Sequence, residues 1–248
     1  MKICEVHSGL TALLVDKSEY DGMWISSLTH ATVHGLPDNE LVPLKERVDL
    51  VEEVKRITDK PIIVDIDTGE SIEHLPHIIS WFSKAGAYAV IMEDKKYPKQ
   101  NSLLEDGHHE LEDIDVFSKK IAIAKANAGG MKVFARLESL IAKRSKYEAL
   151  MRAYAYVLAG ADGIMVHSKQ KVDCSEVMEV GEEIRLKHPD ITLIAVPTTY
   201  TLPEEHPFDI VITANHLMRA SLKAMQKFLN NEKVELASVQ EIFDLCGH

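Results

Sequence analysis

Short apolar runs recur along the chain, each followed by a stretch whose apolar residues fall at three- and four-residue spacing. The strand-like runs are Ile3–Val6, Met23–Ser26, Pro61–Ile66, Tyr88–Glu93, Lys132–Arg136, Gly163–His167, Thr192–Val196 and Ile210–Thr213. Between 40 and 58, Leu44, Val48, Val51 and Val54 mark one helical face. Between 112 and 127, Ile114, Phe117, Ile121 and Ala124 mark another, closed by Gly129-Gly130. Strands alternating with helices imply a parallel sheet, because parallel neighbours need crossover connections. Eight such units in 248 residues predict an α/β fold, a closed (β/α)8 barrel of the TIM type. A doubly wound open sheet is the runner-up. The runs are nearly continuous in apolar residues, as strands covered on both faces require. No proline-, glycine- or serine-rich linker divides the chain, so residues 1–248 read as one catalytic domain.

Polar residues gather where these runs end: Ser26-Ser27, Asp65 and Asp67, Glu93-Asp94-Lys95, Arg136 and Glu138, and His167-Ser168-Lys169. In such barrels the catalytic groups sit at the C-terminal strand ends. Asp65 and Asp67 stand two residues apart, and in an extended strand such residues face one side. Two like charges on one interior face repel unless a cation or protons relieve them, and a hard divalent ion such as Mg²⁺ suits carboxylates. The plainer reading is one carboxylate capping the next helix and the other solvated. Glu93-Asp94-Lys95 supplies further carboxylates at the next strand end. The stretch Lys96–Gly107 has no apolar period and is long for a βα loop, which fits a lid or a surface insertion.

Arg136 can grip an anionic oxygen pair in fork geometry, although a lone strand-end arginine also serves as a structural ion-pair partner. His167 can donate or accept a proton near neutral pH. Backbone N–H groups around Ser26-Ser27-Leu28 could bind a carboxylate, and Trp24 before them has the character of a core residue. His30 and His34 have helical spacing, but the nearby Gly35 and Pro37 argue against a zinc pair. His108-His109 reads as a solvated loop.

Composition narrows the partners. The chain has 28 Lys and Arg against 39 Asp and Glu, a net charge of −11, and no basic cluster, which argues against nucleic acid. It does not argue against a small anionic substrate, since a local arginine or metal decides that. Cys4, Cys174 and Cys246 lie in no metal-ligand spacing; with no signal-like start and no apolar run long enough for a bilayer, the chain reads as a cytoplasmic protein without membrane contact. There is no Walker A loop, dinucleotide fingerprint, nucleophile elbow or H-E-x-x-H helix.

Glu93-Asp94-Lys95, five residues, then Asn101-Ser102 matches the E-D-K-x5-N-S signature of phosphoenolpyruvate mutases in the isocitrate lyase superfamily. Cys4 through Ala12, Trp24-Ile25-Ser26, Asp65 through Gly69, Ala135-Arg136, Val166 through Lys169, Val196-Pro197-Thr198 and Ala214-Asn215-His216 follow in family order. The chain thus resembles that family over essentially its whole length. The resemblance implies that Asp65 binds Mg²⁺, with Asp67 and Glu93 holding its waters. It implies that the metal chelates the carboxylate and keto oxygens of phosphoenolpyruvate or phosphonopyruvate. Trp24, Ser26, Ser27 and Leu28 would bind the substrate, chiefly its carboxylate, together with Lys99 and Ser102 of the loop. Arg136, His167 and Asn101 would contact the transferring phosphoryl group, and Asp38 would stand beside the migrating phosphorus as nucleophile or electrostatic guide.

Ser27 stands where glycine is usual, and Pro37 precedes Asp38 where a basic residue is common. The implied activity is mutase chemistry, with phosphonopyruvate hydrolysis or a non-catalytic oxoacid-binding barrel as alternatives. A methylisocitrate lyase is disfavoured, because no cysteine lies between Cys4 and Cys174. The resemblance further implies a homotetramer, a dimer of dimers that exchange a C-terminal helix within 216–246.

Overall fold

The structure is a computed structural model, and residues 1–247 are described. All eight expected strands form: β1 (Lys2–Glu5), β2 (Gly22–Ile25), β3 (Ile62–Asp65), β4 (Ala89–Glu93), β5 (Lys132–Leu137), β6 (Gly163–Val166), β7 (Thr192–Ala195) and β8 (Ile210–Thr213). Each pairs parallel with the next, and β8 closes on β1 through Lys2↔Val211, Ile3↔Ile212 and Cys4↔Thr213. That last pairing excludes the open sheet.

Six of the seven crossovers are helical, with α1 (Gly9–Asp16), α2 (Ser27–Val33) and α3 (Leu44–Lys55), then α4 (Leu75–Ala85), α5 (Ile114–Asn127), α6 (Lys146–Leu158) and α7 (Ser175–Lys187), whereas residues 196–209 join β7 to β8 without a helix. α8 (His216–Leu229) and α9 (Val239–Cys246) follow the last strand. Their ends carry local signals. Ser8 and Thr11 form a reciprocal cap on α1, the Asp113 carboxylate accepts from the N–H groups of Asp115 and Val116 on α5, and Gly86 ends α4 at φ 91°.

Strand alternation divides the core in two. Outward residues such as Val64, Val90, Ala135 and Val166 pack under the helices with Val51, Phe82, Phe117 and Tyr156. Inward residues Ile3, Trp24, Ile63, Ala89, Ile91, Phe134, Met165, Ile194, Ile210 and Ile212 fill the barrel. Burying one large apolar side chain contributes about 2 kcal/mol, so this filled interior is a rigid floor beneath whatever sits at the mouth. α8 and α9 differ from the other helices, having no buried residue; Leu222, Met225, Phe228, Leu229, Val239, Ile242 and Phe243 are exposed. The expectation for 216–246 was one C-terminal helix, and two form, joined by residues 230–238. No helix among the described residues is long and apolar enough to cross a membrane.

Candidate active site

The mouth is built by carrying the inward register two residues past the apolar floor. Trp24 leads to Ser26, Ile63 to Asp65, Ile91 to Glu93, Phe134 to Arg136 and then Glu138, and Met165 to His167. All of these end residues are buried. Trp24 therefore belongs to the floor, and the cavity above is lined instead by Ser26, Ser27, Leu28, Asp38, Asp65, Lys99, Asn101, Ser102, Arg136 and His167 among others.

Asp67 arrives by a different route from the one its spacing suggests. β3 ends at Asp65, and Asp67 takes a left-handed backbone, φ 53°, in a turn where its N–H donates to Asp65 Oδ1 at 3.0 Å. A turn, and not a shared strand face, brings the two carboxylates together. Arg47 of α3 holds the turn from behind, with Nη2 2.5 Å from Asp67 Oδ2 and Nη1 donating to the Asp65 carbonyl at 2.8 Å. Burial alone would raise the Asp67 carboxyl, but Arg47 and Lys99 outweigh it and keep the group below its ordinary pKa. Asp94 does not join the mouth as expected. It points to the outer face, where Tyr156 donates to it at 2.8 Å and Arg152 at 3.2 Å.

Glu138 organises the opposite wall. Its Oε1 accepts from Arg136 Nε at 2.6 Å and lies 2.6 Å from His167 Nδ1, while its Oε2 accepts from Ser102 Oγ at 2.6 Å and pairs with Lys95 at 3.0 Å. Arg136 and Lys95 overcome burial and hold Glu138 well below the usual carboxylate range. Arg136 Nη2 also lies 3.0 Å from His167 Nδ1, but the shorter contact with the ionised Glu138 assigns the proton to Nδ1, leaving Nε2 for the cavity. Burial, reinforced by Arg136, lowers the His167 pKa, so the ring is neutral near pH 7.

The loop 94–113 lies over the opening. It folds back on itself through a bridge between Lys95 and Leu111, and Lys169 ties it down by donating to the Leu104 carbonyl at 3.1 Å. Asn101 Nδ2 donates to Asp38 Oδ2 at 2.6 Å. Lys99 reaches in to the same oxygen at 3.1 Å and to Asp67 Oδ1 at 2.9 Å. His109, expected in solvent, is half-buried against Lys169. The cavity left beneath is about 40 Å³. Ordinary ligand pockets start near roughly 300 Å³, so the loop must shift to admit a substrate. A groove of about 1220 Å³ at the other end of the barrel, around Met1, Tyr20 and Phe208, contains none of the expected site residues.

The donor set suits a hard cation. Glu93 is fully buried and neither of its oxygens accepts a hydrogen bond among the described residues; the nearest charges are Arg136 at 3.4 Å and Lys99 at 3.8 Å. Burial pushes its carboxyl up to about 7 despite Lys95 and Lys99. Among the described residues no three His, Cys, Asp or Glu side chains close on one point. The observation that fits a hard cation is the unpartnered, buried Glu93 carboxylate near Asp65 and Asp67, and Mg²⁺ binds through one or two carboxylates while keeping several waters.

A model of the family described as phosphoenolpyruvate phosphomutase matches residues 1–231. The chain belongs to the phosphoenolpyruvate phosphomutase family. Within the wider phosphoenolpyruvate mutase/isocitrate lyase superfamily, it is 35% identical over 262 residues to the phosphoenolpyruvate phosphomutase of Tetrahymena pyriformis, covering 99% of this chain and 86% of that one. The solved structure of the phosphoenolpyruvate phosphomutase from Streptomyces platensis subsp. rosaceus superposes with a TM-score of 0.91 at 29% identity, covering 100% of this chain and 90% of that one. A phosphonopyruvate hydrolase solved in complex with oxalate and Mg²⁺ superposes at 0.87 with 30% identity and the same coverage. Mutase and hydrolase relatives are thus comparably near.

Lys95 and Glu138 were expected among the strand-end polar residues but without a role, and register brings both to the mouth. Arg47 and Glu40 lay outside the expected set. Glu40 accepts from Thr68 N–H at 3.0 Å, Thr68 Oγ1 at 2.6 Å and Lys99 N–H at 2.8 Å. Nothing in the local pattern marks Glu40, or Arg47 within an amphipathic helix, as reaching the mouth.

Proposed function

We propose that this protein is an isomerase that interconverts phosphoenolpyruvate and phosphonopyruvate, with residues 1–248 acting as one catalytic domain. Asp65 would hold Mg²⁺ directly, with Asp67 and Glu93 fixing its waters. The bound ion would act as a Lewis acid toward the carboxylate and keto oxygens of the substrate.

The chain's own groups supply the rest. The first N–H groups of α2, at Ser27 and Leu28, have no partner inside the helix and take the substrate carboxylate, with Ser26 beside them. Arg136 presents a fork to the transferring phosphoryl oxygens. His167 offers Nε2, and an anion there draws a proton onto it while Glu138 stabilises the resulting imidazolium. In the phosphonopyruvate direction the P–C bond breaks, its electrons remain on the three-carbon unit as pyruvate enolate, and the enolate oxygen then takes the phosphoryl group. Asp38 stands beside that path. The loop with Lys99, Asn101 and Ser102 keeps water away from the phosphorus.

The observation that carries the mutase reading over hydrolysis is the 2.6 Å bond from Asn101 to Asp38, which seals the loop against the reacting side of the mouth. The opposite direction forms a P–C bond and would serve phosphonate biosynthesis. The exposed apolar residues of α8 and α9 support a homotetramer in which dimers exchange these C-terminal helices.

A coupled assay separates the two chemistries. With phosphonopyruvate and Mg²⁺, a mutase produces NADH oxidation only when pyruvate kinase and ADP accompany lactate dehydrogenase. Oxidation with lactate dehydrogenase alone would mean free pyruvate, and hydrolysis.

A further inference from the structure

We propose that the Lys99 ammonium and the divalent cation compete for the same carboxylates, so that metal loading expels Lys99 and unlatches the loop that carries it. This rests on the metal reading above. Lys99 is 3% exposed although it belongs to a surface loop. Its Nζ lies 2.9 Å from Asp67 Oδ1, 3.1 Å from Asp38 Oδ2 and 3.8 Å from Glu93 Oε1. It also donates to Ser27 Oγ at 3.0 Å, and that hydroxyl donates to Asp65 Oδ2 at 3.1 Å. One ammonium therefore touches two of the three metal-assigned carboxylates and stands one hydroxyl from the third.

Proximity favours exchange over addition. The ammonium stands within ion-pair distance of Asp67 and Glu93, and two cations sharing those buried oxygens would repel strongly at low dielectric.

The lysine is also the latch. Its backbone N–H donates to Glu40, which in turn holds Thr68 beside Asp67. Releasing the ammonium loosens the segment that must move for a substrate to enter the small cavity. In this scheme metal precedes substrate, and the freed ammonium is available to the substrate's anionic groups.

The test is Mn²⁺ titration of the full-length protein by electron paramagnetic resonance, with hydrogen exchange of loop peptides in Mg²⁺ without substrate. Lys99→Met should bind Mn²⁺ at least about tenfold more tightly than wild type, as removal of a competing charge requires. Lys99→Arg, which keeps the charge, should stay near wild type, and Lys99→Gln should follow the methionine variant. Mg²⁺ should speed exchange across residues 96–101 in wild type, whereas Lys99→Met should exchange fast without metal. Equal or weaker Mn²⁺ affinity in both uncharged variants, or loop exchange indifferent to Mg²⁺, overturns the competition. If those results appear while Asp65→Asn still abolishes binding, only the competition falls. Absence of Mn²⁺ binding in every variant removes the metal reading and the competition with it.

Discussion

Glu138 serves Arg136, Lys95, Ser102 and His167 at once, so its charge fixes both the guanidinium orientation and the imidazole tautomer. Glu138→Gln keeps the shape but can present an amide donor where His167 needs an acceptor. The expected result is a loss of about 100-fold in kcat with smaller change in KM, measured by the coupled assay. His30 makes a different prediction. Burial, with Arg47 and His34 nearby, lowers its pKa to about 4. Between the ordinary histidine value near 6.5 and that lowered value, the unfolded chain binds a proton that the folded chain refuses, so stability falls as pH drops through this window. Thermal melts of His30→Asn should lose less between pH 7 and 4 than those of wild type; parallel losses would show that other groups control the acid limb. At this scale Asp65, Glu93, Arg136 and His167 were legible because strand register points them inward. Arg47 was not, since a buried cation on an amphipathic helix leaves the same spacing as a solvated one.

The strand-end elements and the long loop behave differently. Every strand was readable from its apolar run, with no end shifted by more than one residue. The turn after β3 was misread as extended strand, because the left-handed backbone at Asp67 is maintained by Arg47 and by Lys120, which donates to the carbonyls of Thr68 and Glu70 at 2.9 and 2.7 Å. Those contacts come from the neighbouring α3 and the more distant α5, and a side chain reaching across from a helix leaves no mark in the turn's own sequence. The loop was legible as a lid from its missing period, but its closed position depends on side-chain contacts with Asp38, Asp67 and Glu138. Asn101→Ala removes the bond to Asp38 while leaving the Asp65 region untouched. Turnover to phosphoenolpyruvate should fall about 100-fold, with Mn²⁺ affinity nearly unchanged and phosphate appearing as a side product. Unchanged turnover would contradict the seal assigned to this residue.

For the whole molecule, eight repeated units predicted the closed barrel, and closure of β8 on β1 meets that expectation. The outer faces of α8 and α9 were less legible, because an amphipathic stripe reads alike whether its own chain or another copy covers it. If these helices join subunits, the double change Met225→Asp and Phe228→Asp should shift light-scattering mass toward the monomer while the circular dichroism of the barrel persists. An unchanged mass would place the interface elsewhere. The central claim concerns where the phosphorus goes. Phosphorus NMR of the purified protein with phosphonopyruvate and Mg²⁺ follows it directly: the phosphonate signal should decline as a phosphoenolpyruvate signal rises, with no early phosphate. Inorganic phosphate as the first new signal would contradict the mutase and assign the mouth to hydrolysis.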